Sequence, residues 1–221
     1  MEIQKRITEI KNSIPENVTL VAVSKTKPVS DLEAAYDGGQ RIFGENKIQE
    51  MVDKFDALPK DIQWHMIGHL QSNKVKYMAH FVDLIHGIDK FKTLKEINKQ
   101  AKKHDRIIHC LLQARIAKEE TKFGLSFEDI ESILQSSELV ALENVKIVGL
   151  MGMATFTENE VQLKEEFTSL KNFFDVQQLK TITKNCNLQT LSMGMSGDYS
   201  LAIANGSSMI RVGSSIFGNR N

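Results

Sequence analysis

Net charge is the first thing this chain lacks: 28 Lys plus Arg stand against 28 Asp plus Glu. With no excess of either sign, nothing global draws it to nucleic acid or to an anionic membrane, so any anion binding must be local. Cysteine is scarce, with two in 221 residues. Cys110 lies in the apolar run Ile107-Ile108-His109-Cys110-Leu111-Leu112, and Cys186 in Lys184-Asn185-Cys186-Asn187 near an expected helix end. Neither has a CxxC partner, which leaves one buried and one incidental thiol. No stretch approaches the ~20 apolar residues that a bilayer crossing needs. The N-terminus, Met1-Glu2-Ile3-Gln4-Lys5-Arg6, opens a charged amphipathic segment without the apolar centre of a secretion signal. A soluble, cytoplasmic chain is expected. No GxGxxG follows the first apolar run, which argues against a dinucleotide-binding doubly wound sheet.

What is present is ordinary globular composition, 41% hydrophobic and 25% charged. The length suits one domain over residues 1–221, since α/β barrels run to about 250 residues as a unit. Apolar, β-branched runs alternate with helix-period segments throughout. Strands are expected at Val18–Val23, Arg41–Phe43, Ile62–Ile67, Phe81–His86, Ile107–Gln113, Val145–Leu150, Leu188–Leu191 and Met209–Val212. Helices are expected between them. Ser30 or Asp31 caps one through Tyr36; others cover Lys47–Ala57, Asn73–His80 and Lys90–Lys103. Ser126 caps one through Gln135, and the last two cover Glu160–Asn185 and Asp198–Asn205. A helix over Ile3–Asn12 precedes the first strand and should pack outside. Eight β/α alternations without a linker predict an α/β fold of the (β/α)8 barrel type, because eight parallel strands close on themselves.

In such a barrel, function sits at strand C-termini and the loops after them. Lys25 follows the first strand in Val23-Ser24-Lys25-Thr26-Lys27-Pro28, where partial desolvation would favour a neutral, nucleophilic amine. By itself it is one turn lysine among many. Ser196-Gly197 before a helix start, and Gly213-Ser214-Ser215 after the last strand, offer small residues, hydroxyls and N–H groups. The loops after strands seven and eight are a recurrent phosphate site in barrels. Arg211 interrupts an otherwise apolar strand, and a buried guanidinium needs an acceptor.

Several blocks carry a resemblance. Val21-Ala22-Val23-Ser24-Lys25-Thr26-Lys27-Pro28, Phe43-Gly44-Glu45-Asn46 with Gln49-Glu50, and Trp64-His65-Met66-Ile67-Gly68-His69-Leu70-Gln71-Ser72-Asn73-Lys74 resemble the YggS/PROSC family. Leu191-Ser192-Met193-Gly194-Met195-Ser196 and Arg211-Val212-Gly213-Ser214-Ser215-Ile216-Phe217-Gly218 extend the match in family order over nearly the whole chain. Members of that family are pyridoxal phosphate homeostasis proteins, similar in fold to the N-terminal barrel of alanine racemase. The resemblance implies pyridoxal 5′-phosphate held as a Schiff base on Lys25, with Ser196, Gly213 and Ser214 on the phosphate. It implies Arg211 facing the pyridine nitrogen, Asn46 and His65 lining the mouth, and Lys27 and Lys122 as accessory lysines. It also implies a cofactor carrier or buffer with little turnover, which hands the cofactor to apo-enzymes. An always-protonated arginine leaves the ring nitrogen unprotonated and weakens the ring as an electron sink. One departure is Gly197, where many members carry an acid; Asp198 remains to serve the following helix.

The chief rival is a racemase-like enzyme using the same cofactor. Alanine racemase takes a second base, a tyrosine, from a C-terminal domain; here only Tyr36, Tyr77 and Tyr199 are present and the chain ends soon after the eighth strand. A phosphate-sugar barrel enzyme would need neither Lys25 nor Arg211. His65 and His69 share the four-residue spacing of zinc ligands, but on a strand-to-loop transition their rings would not share a face, so no metal is expected. His80, His86, His104 and His109 carry no expected role. A monomer is expected, with no nucleic-acid partner.

Overall fold

The computed structural model describes residues 2–118, 123–180 and 182–218, with the side chain of Ile182 left aside. Eight parallel strands close into a barrel: β1 (Thr19–Val23), β2 (Ile42–Glu45), β3 (Gln63–Met66), β4 (Leu84–Ile88), β5 (Ile108–Ala114), β6 (Val145–Gly152), β8 (Cys186–Ser192) and β9 (Met209–Val212). Neighbours pair in that order, β6 pairs with β8, and β9 returns to β1 to close the ring. The ninth strand, β7 (Ile182–Thr183), is a two-residue antiparallel partner on the edge of β8.

Helices fill the outside: α2 (Val29–Asp37), α3 (Ile48–Ala57), α4 (Phe91–Lys102), α5 (Phe127–Gln135), α6 (Ser137–Val140), α7 (Glu160–Lys180), α8 (Tyr199–Ala204) and α9 (Ser214–Phe217). Their apolar stripes cover the strands' outward residues, among them Phe43, Trp64, Met66, Ile85 and Leu112, in one continuous core. The N-terminal α1 (Glu2–Ser13) buries Ile7 and Ile10, three apart on one face, and packs on α2 and α9. Arg6 donates to the Ile216 carbonyl there at 3.2 Å. No helix among the described residues is long and apolar enough to cross a membrane.

The eight barrel strands fall where the sequence pattern puts them, but several boundaries move. The fourth is displaced to Leu84–Ile88, which takes His86 from the strand's end to its interior. The expected helix over Asn73–His80 is a 3-10 turn, Ser72–Tyr77. The residue at the N-cap of α2 is Pro28, which makes no side-chain cap bond, so neither Ser30 nor Asp31 caps it. Ser126 does cap α5, within a reciprocal box with Asp129. The long helix ends at Lys180 instead of running to Asn185, because the chain folds into β7 and turns directly into β8. Cys186 is accordingly the first residue of a strand and fully buried, not a helix-end thiol.

Candidate functional site

Side chains alternate across a strand, so residues two apart along a barrel strand both point inward. Val21, Leu84, Leu111, Met151 and Met209 form an apolar cluster of their own inside the barrel. Two residues further along β4 and β9, toward the C-terminal mouth, the inward positions are His86 and Arg211. A polar layer thus sits directly on an apolar plug.

That layer is one connected chain. Arg211 donates through one terminal nitrogen to Ser192 Oγ at 2.6 Å and to the Ser192 carbonyl at 2.9 Å. The other terminal nitrogen donates to the Gly152 carbonyl at 3.0 Å. Ser192 Oγ lies 3.4 Å from His86 Nδ1, and His86 Nε2 lies 3.1 Å from His65 Nδ1. A guanidinium can only donate. The arrangement that satisfies every member therefore runs one way: the Ser192 hydroxyl donates a hydrogen bond to His86 Nδ1, and His86 Nε2–H donates to His65 Nδ1. This leaves His65 with its proton on Nε2. Both imidazoles are buried and neutral. Burial pulls His65 down to about 3. His86 is held well below its usual value by burial, with the neighbouring His65 and Arg211 adding to the effect. Burial also pulls Arg211 down, to about 10, opposed by Asp198, so it stays a cation at neutral pH.

The strand register sets the level of the remaining residues. Val23 pairs with Gly44, and Gly44 with His65, while Ala22 pairs with Val212, one residue before Gly213. Val23, Gly44, His65 and Gly213 therefore share one level, and Lys25 and Asn46 each lie two residues beyond it on adjacent loops. Both are partly buried. Gly68 keeps the loops after β2 and β3 together: a Cβ there would come within 2.6 Å of the Asn46 carbonyl oxygen. Lys27 Nζ donates to the Phe217 carbonyl at 3.1 Å, tying the loop after β1 to the end of α9.

The small-residue loops follow β9, the neighbour of β1, and β8 beside it. The Gly213 N–H donates to Ser196 Oγ at 3.1 Å, so the two segments expected at a phosphate meet directly. Ser214 and Ser215 are exposed at the start of α9. The turn before Ser196 needs Gly194, whose φ of 92° and contact with Ala202 Cβ, 2.7 Å from any added Cβ, exclude a side chain. Asp198 occupies the N-cap of α8 but makes no cap bond; its Oδ1 accepts instead from the Met195 N–H at 2.6 Å. A Cβ on Gly197 would meet nothing within 4 Å, so a side chain at that position would have room.

The structure thus joins Ser196 with Gly213, and His65 with Arg211 through two intermediaries that carried no expectation, His86 and Ser192. His65 and His69 do part company, since His69 pairs with Asp89 at 3.4 Å and stacks on Phe123. Lys122 lies outside the described residues.

Residues 1–221 match the family model described as "Alanine racemase, N-terminal domain". A pyridoxal phosphate homeostasis protein of Aquifex aeolicus is 37% identical over 202 residues, covering 91% of this chain and 86% of its own length. One from a Synechocystis species is 39% identical over 215 residues, covering 96% of each. Among solved structures, PipY of Synechococcus elongatus with PLP bound superposes with a TM-score of 0.88 at 34% identity, covering 98% of this chain and all of that one. On the whole-length match and the identity to these relatives, the chain belongs to the alanine racemase N-terminal domain family, among its pyridoxal phosphate homeostasis proteins.

Proposed function

We propose that this chain binds pyridoxal 5′-phosphate at the C-terminal mouth of the barrel and carries or buffers it for other proteins, with Lys25 as the covalent anchor and little turnover of substrate. The observation that carries the reading is Arg211: a buried cation at the barrel mouth, pinned by three bonds that use three of its five N–H donors. The donor set fits the cofactor. Ser196 Oγ, the Gly213 N–H and Ser214 would hold the phosphate, Arg211 the pyridine nitrogen, and Asn46 and His65 the flanks of the ring. Lys27 and Lys122 would be accessory. What the group supplies when bound is an aldehyde, to which a lysine amine condenses with loss of one water, and an electron-accepting ring.

The protein's own residues favour holding over using. A guanidinium that stays protonated at neutral pH presents only donors, so it leaves an unprotonated ring nitrogen, the weaker electron sink. His65, with a pKa of about 3, is a poor proton acceptor, and His86 is enclosed behind it. Neither suits the task of a base that moves a substrate proton near neutral pH.

The test is reconstitution with pyridoxal 5′-phosphate, borohydride reduction and peptide mapping. The label is expected on Lys25 and absent from Lys25→Ala; a label elsewhere, or an unchanged adduct in that variant, overturns the anchor. Loaded protein incubated with alanine in deuterated water should exchange its α-proton slowly and should pass cofactor to an apo-enzyme. Fast exchange would replace the carrier with a racemase-like enzyme.

A further inference from the structure

Lys25 sits between two residues whose backbones are tied from behind the barrel wall. On one side, Ser24 is fully buried, and its hydroxyl donates to Glu45 Oε1 at 2.6 Å. On the other, the Thr26 N–H donates to Glu50 Oε1 at 2.5 Å. One buried cation joins the two sides. Lys54 Nζ, on α3, donates to the Ser24 carbonyl at 2.8 Å, to Glu45 Oε1 at 2.7 Å and to Glu50 Oε1 at 2.7 Å. Its side chain is 5% exposed and that of Glu45 fully enclosed.

The backbone between these ties is unusual. Thr26 has φ of 67°, the left-handed region that a β-branched residue rarely enters. Such a conformation persists only where its surroundings over-determine it. Here they do: the Thr26 N–H meets a carboxylate, and the Lys27 N–H closes back on the Ser24 carbonyl at 3.0 Å. A buried three-charge cluster is weak evidence for stability, because desolvation offsets much of the attraction. Its value lies in fixing geometry, and the geometry it fixes is that of residues 24 and 26.

We propose that Lys54, Glu50 and Glu45 are positioning residues for Lys25, forming a clamp that imposes the left-handed turn at Thr26 and so sets the direction in which the Lys25 amine leaves the first strand. This rests on the reading of Lys25 as the cofactor's anchor. The clamp acts on the approach of the amine to the aldehyde and not on the phosphate cradle, which lies on the loops after β8 and β9. Covalent loading and non-covalent binding should therefore separate.

The experiment compares full-length wild type with Glu50→Ala, Glu50→Gln and Lys54→Met. Two probes are used: pyridoxal 5′-phosphate, which can condense with the amine with loss of water, and pyridoxine 5′-phosphate, which has no aldehyde and cannot. Glu50→Ala and Lys54→Met are expected to slow borohydride-trappable loading about tenfold, while the affinity for pyridoxine 5′-phosphate changes less than about twofold. Glu50→Gln, whose amide oxygen still accepts the Thr26 N–H, should load within about threefold of wild type. Equal loss with both probes would mean general disorder, and unchanged loading in Glu50→Ala would mean the ties are idle; either overturns the clamp. If Lys54→Met fails to fold, Glu50→Ala and Glu50→Gln still decide. Failure of the anchor itself would show separately, as wild-type label mapping away from Lys25.

Discussion

Acid should destabilise this protein through two buried histidines as pH falls below their ordinary value. His65 faces His86, and His86 faces both His65 and Arg211, a ring and a cation that each oppose a second positive charge. In the unfolded chain both imidazoles take up a proton near 6.5. In the fold His65 does so only at about 3, and His86 well below its usual value. A depressed histidine makes the unfolded state the better proton binder, so stability is intact above pH 6.5 and falls as pH drops below it. Each fully suppressed histidine costs about 1.4 kcal/mol on going from about pH 7.5 to pH 5.5, or roughly 3 kcal/mol for the pair. His80 and His109 are also lowered but are more accessible, so they add less in the same direction. Glu45, Asp83 and Asp198 are raised, which gives the opposite sign. Urea unfolding of the cofactor-free protein measures the sum, and the midpoint should drop by about 1 M over that interval. The His65→Gln/His86→Gln double variant isolates the pair, since amides keep hydrogen-bonding capacity without titrating. Parallel pH curves for wild type and double variant would refute the reasoning.

Gly149→Ala should cost more than ~3 kcal/mol, because a Cβ there would lie 1.8 Å from the Thr190 carbonyl oxygen on the paired strand and the backbone would have to part; a urea midpoint close to wild type would contradict this. Both thiols are fully buried, and burial pushes Cys110 far up and Cys186 up to about 11. An aromatic disulfide reagent should therefore label them only at the rate of unfolding, and a fast native-state reaction at either would show an opening that this packing does not contain.

The barrel was legible because its signal is periodic and repeated. Apolar runs spaced by helix-period segments need only be counted to eight, and a boundary error in one leaves the count intact. Boundaries failed where tertiary structure overruled a local pattern. The segment from Thr181 to Asn185 reads as the tail of a long helix, yet Ile182–Thr183 pairs back on Cys186–Asn187 because the edge of β8 is there to receive it. Ser72–Tyr77 has helix-like spacing yet closes as a 3-10 turn, although its connection is as long as the one that holds α3. Ser196 and Gly213 stand out in sequence as small residues in the loops after the last two barrel strands, and the structure brings them within a hydrogen bond. Lys25 drew attention through the company it keeps in sequence, and the ties of its neighbours Ser24 and Thr26 to Lys54 and Glu50 left no mark in that segment.

His86 shows why the rest stayed hidden, and what would have exposed it. Its partners are His65, 21 residues away, and Ser192, 106 residues away, so no local spacing could pair them. Placed at the end of an expected strand, it looks like any polar residue where a strand meets solvent. The displacement of β4 to Leu84–Ile88 reverses that: His86 becomes the inward residue one step above Leu84, as Arg211 is one step above Met209. A polar side chain at an inward barrel position cannot reach water through the apolar layer beneath it. It must be matched across the barrel or by something that enters from the mouth. Arg211 finds three acceptors in Ser192 and Gly152, and His86 and His65 pair with one another. The same logic applies outside the barrel to Lys54, whose position on α3 faces the wall and not the solvent. The usable signal is thus a polar residue in phase with an apolar inward pattern, two positions toward the strand's C-terminal end. In this chain that rule selects His86, Gln113 and Arg211, and so finds the buried cation and a member of the histidine pair before any ligand is considered.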